Sequence, residues 1–443
     1  MKALNKKNIS TIISASWIFT SDLESQLLSD YSVVIDNDKI IDLLPQSKVF
    51  NEYEAHNNYQ LTDHILIPGL INTHAHAAMS LFKSFADDLP LHDWLNNHIW
   101  PAEKEFVSPS FVKDGSILAL SEMIKSGITT FNDMYFYPNE TAEAAKELGV
   151  RGNIGLVVLD FPTNYATDPE DYLLKGFGFR DKWRNEELIT TSIAPHAPYS
   201  VSDEAFTMIN TYSEELRISI HTHLHETKWE IEDSIGKYGM TPVQRLNNLG
   251  IIGPSLMAAH CVHCNDQDMA ILAKNKVSII HNPSSNMKLG SGIADVARML
   301  EQSLNVCLGT DSSASNNRLD ILEEMRLAAL LIKGSTNLPE SMPIKEAIKM
   351  ATINGAKALG LDGIIGSIEK NKRADLVAID LSKIENQPIY DPLSTLVYSS
   401  SRSDVSYVWI NGKLKLKDKK LVQINEEEII QLAKKWQIKL KKI

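Results

Sequence analysis

The sequence predicts an α/β protein in which a (β/α)8 barrel of the TIM type carries a small β-sandwich domain formed from both chain termini. Between about residues 65 and 360, short apolar runs alternate with amphipathic helical stretches, which is the pattern of repeated βα units. On either side of that region, runs rich in Val, Ile and Tyr are separated by polar turns, which indicates β-structure. Both patterns together favour a barrel inserted into a β-domain.

The start of the chain has the composition of successive strands. Basic residues followed by an apolar run also resemble a signal peptide, but Asn8, Ser10 and Thr11 interrupt the run. No small-residue cleavage site follows it cleanly, so a strand is the expected structure. The strand-like runs are IISASWIFT, YSVVIDNDKIIDLL and QLTDHILI.

The middle of the chain contains eight candidate strands separated by helical stretches such as SILALSEMIKSG and DQDMAILAKNK. Eight βα units favour a closed barrel. An open parallel sheet also fits, because a sequence does not show closure. The predicted strands are 65–73, 128–134, 152–160, 189–196, 217–224, 256–261, 277–282 and 304–310.

Strands return after about residue 363. KRADLVAIDL predicts one strand, and Asn411-Gly412 between two apolar runs predicts a hairpin with a two-residue type I′ turn. At the end of the chain, Asn425 is a suitable cap for a helix whose apolar face carries Ile429, Leu432, Trp436 and Leu440. The expected units are a β-sandwich domain (1–66 plus 364–424), a metal-dependent barrel (67–363) and a C-terminal helix (425–443).

Composition excludes several classes of protein. The 443 residues include 44 Lys and Arg against 56 Asp and Glu, which gives a net charge of −12. This charge argues against a partner that is nucleic acid or an anionic membrane. No apolar run reaches the ~18 residues that a membrane span needs. Three cysteines are too few for a disulfide framework in a chain of this length, so a cytoplasmic location is expected.

Histidines lie at the C-terminal ends of several predicted strands, which is the end of a barrel where active sites are built. His74 and His76 follow the first barrel strand, and residues two apart on a strand face the same way. Two imidazoles on one face suit a divalent transition metal, zinc first. Two polar residues in a loop are the alternative interpretation.

The fifth barrel strand ends in His221, His223, His225 and Glu226. Not all three histidines can be ligands, and one ligand with a carboxylate three residues later suits a metal beside an acid/base group. We therefore expect His223 to be the ligand and Glu226 the proton-transferring group. His221 and His225 are expected to support the site or the fold.

Asp311 follows the eighth barrel strand. A carboxylate there completes a set of three histidines and one aspartate and leaves one coordination position for water, which is typical of a catalytic zinc. The alternative is an N-cap of the next helix, although SSASNN just after it could supply caps.

Further histidines and a cysteine pair lie at other strand ends. His196 and His260 end the fourth and sixth strands, and both are candidate site residues. Cys261 and Cys264 have the spacing of zinc and redox sites, but buried thiols at a strand end are the favoured interpretation. The role of this pair, and that of His281 at the end of the seventh strand, stays open.

Six stretches together make the chain resemble the amidohydrolase superfamily over nearly its whole length. Within it, the chain resembles the branch of 5′-methylthioadenosine/S-adenosylhomocysteine deaminases and their chlorohydrolase-type relatives. The family fold, a (β/α)8 barrel with a small β-sandwich from both termini, agrees with the expectation above. The stretches are PGLINTHAHAAMSLFKSFADDLPLHDWLNNHIWPAE, HTHLHET, AAHCVH, HNPSSNMKLGSG, GTDSSASNNRLDILEEMR and ATINGAKALGLDGIIGSIEKNKRADLVAID.

The resemblance implies one divalent metal, zinc first, with iron, manganese or nickel as alternatives. Glu226 matches the family's proton-shuttling carboxylate, and His260 matches the histidine that positions the hydroxide. A lysine that bridges two metals in other members has no counterpart at Ala194-Pro195-His196, so a single metal is implied. The positions that match metal ligands are His74, His76, His223 and Asp311.

The resemblance also implies substrate contacts and a reaction. Glu103 and His196 match substrate contacts, and Trp94 matches an aromatic residue that lies against the substrate. The implied reaction is hydrolytic deamination of an adenosine-type nucleoside, and the alternative is a chlorohydrolase or a deaminase of another heterocycle such as a triazine, pterin or guanine. Arg151, Arg180 and Arg184 do not decide which nucleoside tail is preferred. A homo-oligomer is implied as well.

Overall fold

The apolar runs at the start of the chain form four strands of one sheet. The computed structural model describes residues 6–441, so residues 1–5 and 442–443 of the predicted terminal segments lie outside it. A short helix, α1 (Gln46–Glu52), precedes the fourth strand. The strands are β1 (Lys7–Phe19), β2 (Leu27–Asp36), β3 (Lys39–Pro45) and β4 (Tyr53–Pro68). β1 is central, because it pairs antiparallel with β2 and parallel with β4.

The eight strands predicted for the middle of the chain form a second sheet. They are β5 (Leu70–Ala75), β6 (Ile128–Tyr135), β7 (Arg151–Val158), β8 (Ile189–Pro195), β9 (Ile220–Leu224), β10 (Leu256–His260), β11 (Ser278–His281) and β12 (Asn305–Leu308). Their order in the sheet follows the chain, and neighbours are parallel. The Thr73 hydroxyl donates to the Leu308 carbonyl at 2.7 Å, so β5 and β12 lie side by side. The predicted barrel is confirmed in this nearly closed form.

The predicted first barrel strand, 65–73, is divided at Gly69 between the two sheets. A Cβ at Gly69 would lie 2.0 Å from the hydroxyl oxygen of Thr129, so only glycine fits where the backbone passes β6. The Gly69 N–H donates to the Asp375 carbonyl at 2.8 Å. The continuous apolar run ILIPGLINT conceals this break, because both halves are buried.

Helices follow the barrel strands and cover them. A 3-10 helix (Ala77–Phe82) and a π-helix (Trp94–Ile99) lie in the long connection after β5. At the N-terminus of the helix Asp266–Lys274, Asn265 and Asp268 form a reciprocal capping box. This pairs backbone N–H groups that the helix itself leaves without partners. The α-helices are α2 (Leu91–Asp93), α3 (Trp100–Phe106), α4 (Pro109–Lys125), α5 (Pro138–Leu148), α6 (Pro169–Trp183), α7 (Asp203–Leu216), α8 (Lys228–Tyr238), α9 (Pro242–Asn248), α10 (Asp266–Lys274), α11 (Pro283–Lys288), α12 (Val296–Glu301), α13 (Ile321–Thr336), α14 (Ile344–Met350) and α15 (Ile353–Ala358).

The last part of the chain returns to the first sheet. Its elements are β13 (Leu376–Asp380), a 3-10 turn (Ile384–Asn386), α16 (Pro392–Tyr398), a 3-10 turn (Arg402–Asp404), β14 (Val405–Ile410), β15 (Lys413–Lys417), β16 (Lys420–Leu421) and α17 (Glu426–Leu440). β13 pairs with β4, so strands from both termini form one eight-stranded sheet. Positive φ angles at Asn411 (51°) and Gly412 (74°) confirm the predicted type I′ turn.

The predicted terminal helix is α17, which the Asn425 side chain caps by accepting from the Glu427 N–H. Trp436 and Leu440 on its apolar face are buried. The Trp436 indole N–H donates to a carboxylate oxygen of Asp114 on α4 at 2.7 Å, so this helix packs on the barrel. Within residues 6–441, no helix combines the length and apolar character needed to cross a bilayer. We propose the division into 1–66 plus 364–424, 67–363 and 425–443 as the domain organisation.

One buried ion pair joins the barrel to the terminal sheet. Arg151 at the start of β7 contacts Asp375 just before β13, with Nε–Oδ2 at 3.1 Å and Nη2–Oδ1 at 3.4 Å. Both side chains are buried. Asp375 also accepts from the Asn411 N–H at 2.6 Å. The Arg151 guanidinium is therefore bound to Asp375. The sequence alone had left open whether Arg151 contacts the 5′ substituent of a nucleoside.

Replacing Arg151 with Met should lower the free energy of unfolding by about 3–5 kcal/mol, because Asp375 stays buried without its cation. The measurement is urea unfolding followed by tryptophan fluorescence. Arg184→Met is the control, since Arg184 is exposed and its loss should change stability by less than about 0.5 kcal/mol. Equal stability of both variants would contradict the assignment of this pair as a structural link.

Candidate active site

The structure brings together the four residues predicted as metal ligands. His74 lies on β5, and His76 directly follows that strand. His223 lies on β9, and Asp311 lies three residues after the end of β12. One ligand atom from each lies within 4.8 Å of the others. The four residues lie at the C-terminal end of the parallel strands, where barrel enzymes place their active sites.

In His76 and His223, a hydrogen bond at Nδ1 of the imidazole leaves Nε2 free to bind a metal. Nδ1 of His76 donates to the Met134 carbonyl and Nδ1 of His223 to the His196 carbonyl, each at 2.6 Å. In the neutral rings, both Nε2 atoms therefore carry lone pairs, and they lie 3.3 Å apart. Oδ1 of Asp311 is a third acceptor, 3.2 Å from Nε2 of His76. Acceptors this close, without donors between them, fit a bound cation.

His74 contributes the fourth atom. Its Nδ1 lies 2.9 Å from Nε2 of His221, while its buried Nε2 has no hydrogen-bond partner among the described residues and lies 3.4 Å from Asp311 Oδ1. Donor atoms from three imidazoles and one carboxylate suit a divalent transition metal. The residues present therefore fit one divalent metal, and His221 orients a ligand, as expected for a histidine that supports the site.

Burial controls the protonation of these histidines. It lowers the pKa of His74 to about 4 and holds the pKa of His223 well below its usual range, since the charged imidazolium is disfavoured away from water. Burial also acts on His76, but the hydrogen bond and charge of Asp311 outweigh it and raise the pKa of His76. Neutral imidazole is the form that binds a metal, so burial prepares the site for one.

The Asp311 carboxylate is held by hydroxyl and backbone donors. Ser285 and Ser315 donate to Oδ2 at 2.6 and 3.0 Å, and the Ser312 N–H donates to Oδ1 at 2.8 Å. The backbone of Asp311 has a φ of 61°, which is uncommon for a residue other than glycine and is often found at functional sites. The N-cap interpretation of Asp311 is not needed, because α13 is capped by Asp320.

Glu226 lies beside the ligand group and is buried. Its Oε2 is 3.7 Å from Nε2 of His260, and its Oε1 accepts from the Ser291 hydroxyl at 3.4 Å. Burial raises the pKa of this carboxyl, although the neighbouring His260 opposes the change. Its backbone N–H and that of His225 donate to the Glu230 carboxylate at 2.9 and 3.1 Å, which fixes the turn after β9. A raised pKa suits a group that both donates and accepts protons near neutrality.

His260 is oriented by Asn286 on α11. Its Nδ1 donates to the Asn286 side-chain oxygen at 2.8 Å, which directs Nε2 toward Glu226. His260 has a φ of 75°, a second strained backbone position at this site. Asn286 and Glu230 were not among the predicted site residues. Asn286 does lie within HNPSSNMKLGSG, one of the stretches that carry the family resemblance.

A cavity of about 500 Å3 opens beside these groups. Its lining includes the three predicted substrate contacts, Trp94, Glu103 and His196. The Tyr135 hydroxyl, which was not predicted, donates to Glu103 Oε1 at 2.7 Å, and burial raises the pKa of Glu103 to about 7. Nδ1 of His196 donates to the Ser200 hydroxyl at 2.9 Å. Trp94 is buried, and its indole N–H donates to the Ala86 carbonyl at 3.1 Å.

The residues left open by the sequence lie outside the cavity lining. His281 is buried, and neither ring nitrogen has a hydrogen-bond partner in the part of the chain that the structure describes. Cys261 is buried and Cys264 is half-buried. His225 lies next to Asp268, with Nδ1–Oδ2 at 3.8 Å. Across residues 6–441, the His74, His76, His223 and Asp311 set is the one group that could hold a metal ion.

Comparisons with known proteins agree with this geometry. Residues 65–415 match the model of the amidohydrolase family. A protein of Saccharophagus degradans, named 5-methylthioadenosine/S-adenosylhomocysteine deaminase, is 44% identical and the match covers 98% of both chains. A 5'-deoxyadenosine deaminase of Methanosarcina barkeri is 40% identical over 96% of both chains. The crystal structure of an adenosine deaminase from Xanthomonas campestris with bound zinc has a TM-score of 0.97 and 36% identity, covering 99% of this chain and 100% of that one.

Proposed function

This chain belongs to the amidohydrolase family, and we propose that it is a metal-dependent deaminase that converts adenosine-type nucleosides into their inosine analogues and ammonia. Relatives named as deaminases of 5-methylthioadenosine, S-adenosylhomocysteine and 5'-deoxyadenosine support this substrate class. The observation that carries the proposal is the buried Glu226 carboxyl, which lies 3.7 Å from His260 and lines the same cavity as His76, His223 and Asp311. A leaving amine needs a proton, and Glu226 is placed to supply one.

We propose that His74, His76, His223 and Asp311 hold one divalent metal, Zn2+ first. The zinc in the similar Xanthomonas campestris structure supports this choice, as does the donor set of three imidazoles and one carboxylate. When bound there, the metal would lower the pKa of a water molecule in the site toward neutrality.

The proton transfers belong to side chains of this protein. Asp311 accepts the first proton of the attacking water, and Nε2 of His260 orients the water toward C6 of the purine. The protonated Glu226 carboxyl donates to the ring nitrogen N1 and then carries the second water proton to the amine. The C6–N bond breaks as ammonia leaves, and the first water proton then passes from Asp311 to Glu226, which restores both carboxyl groups. The net result adds one proton to N1 and one to the leaving amine, equal to the two protons of the water.

The remaining predicted residues bind the nucleoside in this proposal. The carboxylate of Glu103 accepts hydrogen bonds from the ribose hydroxyls, while Tyr135 holds it in place. Nε2 of His196 faces the nucleoside, because Nδ1 is occupied by Ser200. Trp94 packs against the base, and its buried position among cavity residues keeps water away from the reacting atoms.

An ammonia-release assay on the zinc-loaded protein tests the proposal. The substrates are 5′-methylthioadenosine, S-adenosylhomocysteine, 5′-deoxyadenosine and adenosine, with a chlorotriazine assayed for chloride in parallel. We expect ammonia from at least one nucleoside and no chloride. Chloride without ammonia would replace the proposal by its alternative, a chlorohydrolase, because chloride leaves without a proton and does not require Glu226. The same ammonia assay is run on guanine, a pterin and an aminotriazine, and ammonia from one of these alone would assign a different heterocycle.

Two further properties are part of the same proposal. We expect the enzyme in the cytoplasm, since three cysteines in 443 residues suit a reducing compartment better than a disulfide-stabilised secreted protein. We also expect a homo-oligomer, as the family resemblance implies. Size-exclusion chromatography with light scattering tests the second expectation, and a monomeric mass would contradict it.

A further inference from the structure

The groups that carry chemistry occupy one arc of the barrel. In sheet order, β9, β10, β11, β12 and β5 are consecutive, because β5 and β12 lie side by side. The strands of this arc and the residues directly after them supply the reactive groups, which are His74, His76, His223, Glu226, His260 and Asp311. A purine whose C6 reacts there must direct its ribose and 5′ substituent toward the remaining wall of the cavity.

The remaining wall is mostly apolar. At the ends of β6 and β7 it presents Met134, Phe136, Val157 and Leu159, and its polar atoms come from Tyr135, Thr163 and Asn164. The connection that follows β7 adds further apolar surface, since the ring of Phe161 lies 5.8 Å from that of Trp100 at the start of α3. All of these side chains line the cavity.

The loop after β7 is fixed over the cavity by backbone contacts with α3. The Asn164 side-chain amide donates to the carbonyls of Lys104 and Val107 at 2.9 and 3.1 Å. The Tyr165 ring packs on Tyr137 with 5.1 Å between centroids. The apolar wall is thus part of the folded barrel and has a definite position opposite the ligand group.

Cations are scarce around this wall. Among the residues that the structure describes, Lys104 is the one lysine or arginine in the cavity lining, and it is exposed. Arg151 is committed to Asp375 in the buried pair. Arg180 and Arg184 lie near Asp181 at the end of α6 and do not line the cavity.

The scarcity of cations at this wall determines which 5′ substituents of a nucleoside it can bind. The amino-acid tail of S-adenosylhomocysteine carries an ammonium and a carboxylate, and burying either without a partner costs several kcal/mol. A methylthio group gains about 0.8 kcal/mol per buried carbon, and its sulfur makes favourable contacts with aromatic rings. A free 5′-hydroxyl in an apolar wall loses hydrogen bonds to water.

We infer that the preferred nucleoside carries a small, uncharged, apolar 5′ substituent, and that the wall formed by Phe136, Val157, Leu159 and Phe161 determines this preference. The inference rests on the proposed function and goes further, because it ranks the nucleosides. 5′-Methylthioadenosine ranks first and 5′-deoxyadenosine next, followed by adenosine, with S-adenosylhomocysteine last.

The test is kcat/KM for these four nucleosides with the zinc-loaded enzyme. We expect 5′-deoxyadenosine within about 15-fold of 5′-methylthioadenosine, since two buried heavy atoms, the sulfur and its methyl carbon, distinguish them. We expect S-adenosylhomocysteine to be at least about 30-fold lower, because its tail carboxylate meets no buried lysine or arginine in the described cavity lining. A smaller ratio would overturn the inference and leave the proposed function intact. Absence of ammonia from all four would overturn the proposed function itself.

Two further measurements separate binding from turnover. In the Glu226→Gln variant, calorimetry should show 5′-methylthioadenosine binding at least about tenfold more tightly than S-adenosylhomocysteine, and equal affinities would contradict the inference. Phe161→Arg, a half-buried position in a loop, introduces a guanidinium that can pair with the tail carboxylate. Its kcat/KM ratio of S-adenosylhomocysteine to 5′-methylthioadenosine should rise at least about fivefold, and an unchanged ratio in a folded variant would count against this wall.

Discussion

Replacing Glu226 with Gln should lower kcat for nucleoside deamination by at least about 10³-fold, within the range that a positioned acid/base group contributes. Glutamine keeps the shape of the side chain but cannot protonate N1 or carry a proton to the amine. The Ser291 and His260 contacts with this side chain do not require a negative charge to hold it in place. The loss should therefore appear in kcat, while KM changes little.

Metal analysis separates this effect from damage to the site. Glu226 is not one of the four clustered ligand residues, so the variant should bind one zinc per chain, as the wild-type protein is expected to do. Glu232→Gln is the matched control, because Glu232 is exposed on α8 a few residues further along the chain. Retention of more than about a tenth of wild-type kcat by Glu226→Gln would exclude it as the proton carrier.

The sequence predicts which ligand candidates meet at this site, because periodicity and topology act together. Residues two apart on a strand share a face, and parallel strands end at the same rim of a barrel. Strand-end positions therefore bring His74, His76, His223 and Asp311 to one rim. The family resemblance distinguishes these ligand candidates from the histidines that end other strands. Glu226 follows from the same argument, since it lies where β9 has given way to a turn.

The supporting residues could not be predicted in the same way. Asn286, Tyr135 and Glu230 act on His260, Glu103 and the turn after β9 through contacts that cross from one element to another. Nothing in the local pattern of their own helices or strands indicates those partners. The division of the apolar run at Gly69 is hidden for a related reason, because its cause is the approach of Thr129 from a different strand.

Arg151 shows how long-range pairing changes an interpretation. In the sequence, Arg151 precedes the third barrel strand, and its spacing does not decide whether it contacts a substrate. In the structure its partner is Asp375, more than 200 residues further along the chain. Arg151 is therefore not available to the cavity, whose described lining contains no arginine, and this absence supports the inference about the 5′ substituent.

Removing the divalent metal should abolish turnover and lower thermal stability together. The lone pairs of His76 and His223 face each other at 3.3 Å beside the Asp311 carboxylate, so a cation relieves repulsion in the folded state that the unfolded chain does not have. A metal at 100 times its dissociation constant stabilises the folded state by about 2.7 kcal/mol. Chelation should therefore lower the melting temperature, and zinc should restore both melting temperature and ammonia release.

His223→Asn tests whether this set of residues holds the metal. Loss of one of four ligand atoms should leave substoichiometric zinc after dialysis, together with a reduced increase in melting temperature on adding zinc. His56→Asn is the matched control, because His56 is exposed on β4 in the terminal sheet, which is separate from the barrel sheet that carries the ligand positions. Stoichiometric zinc and full activity in His223→Asn would mean that other residues hold the metal. Equal losses in both histidine variants would show that the effect does not depend on this site.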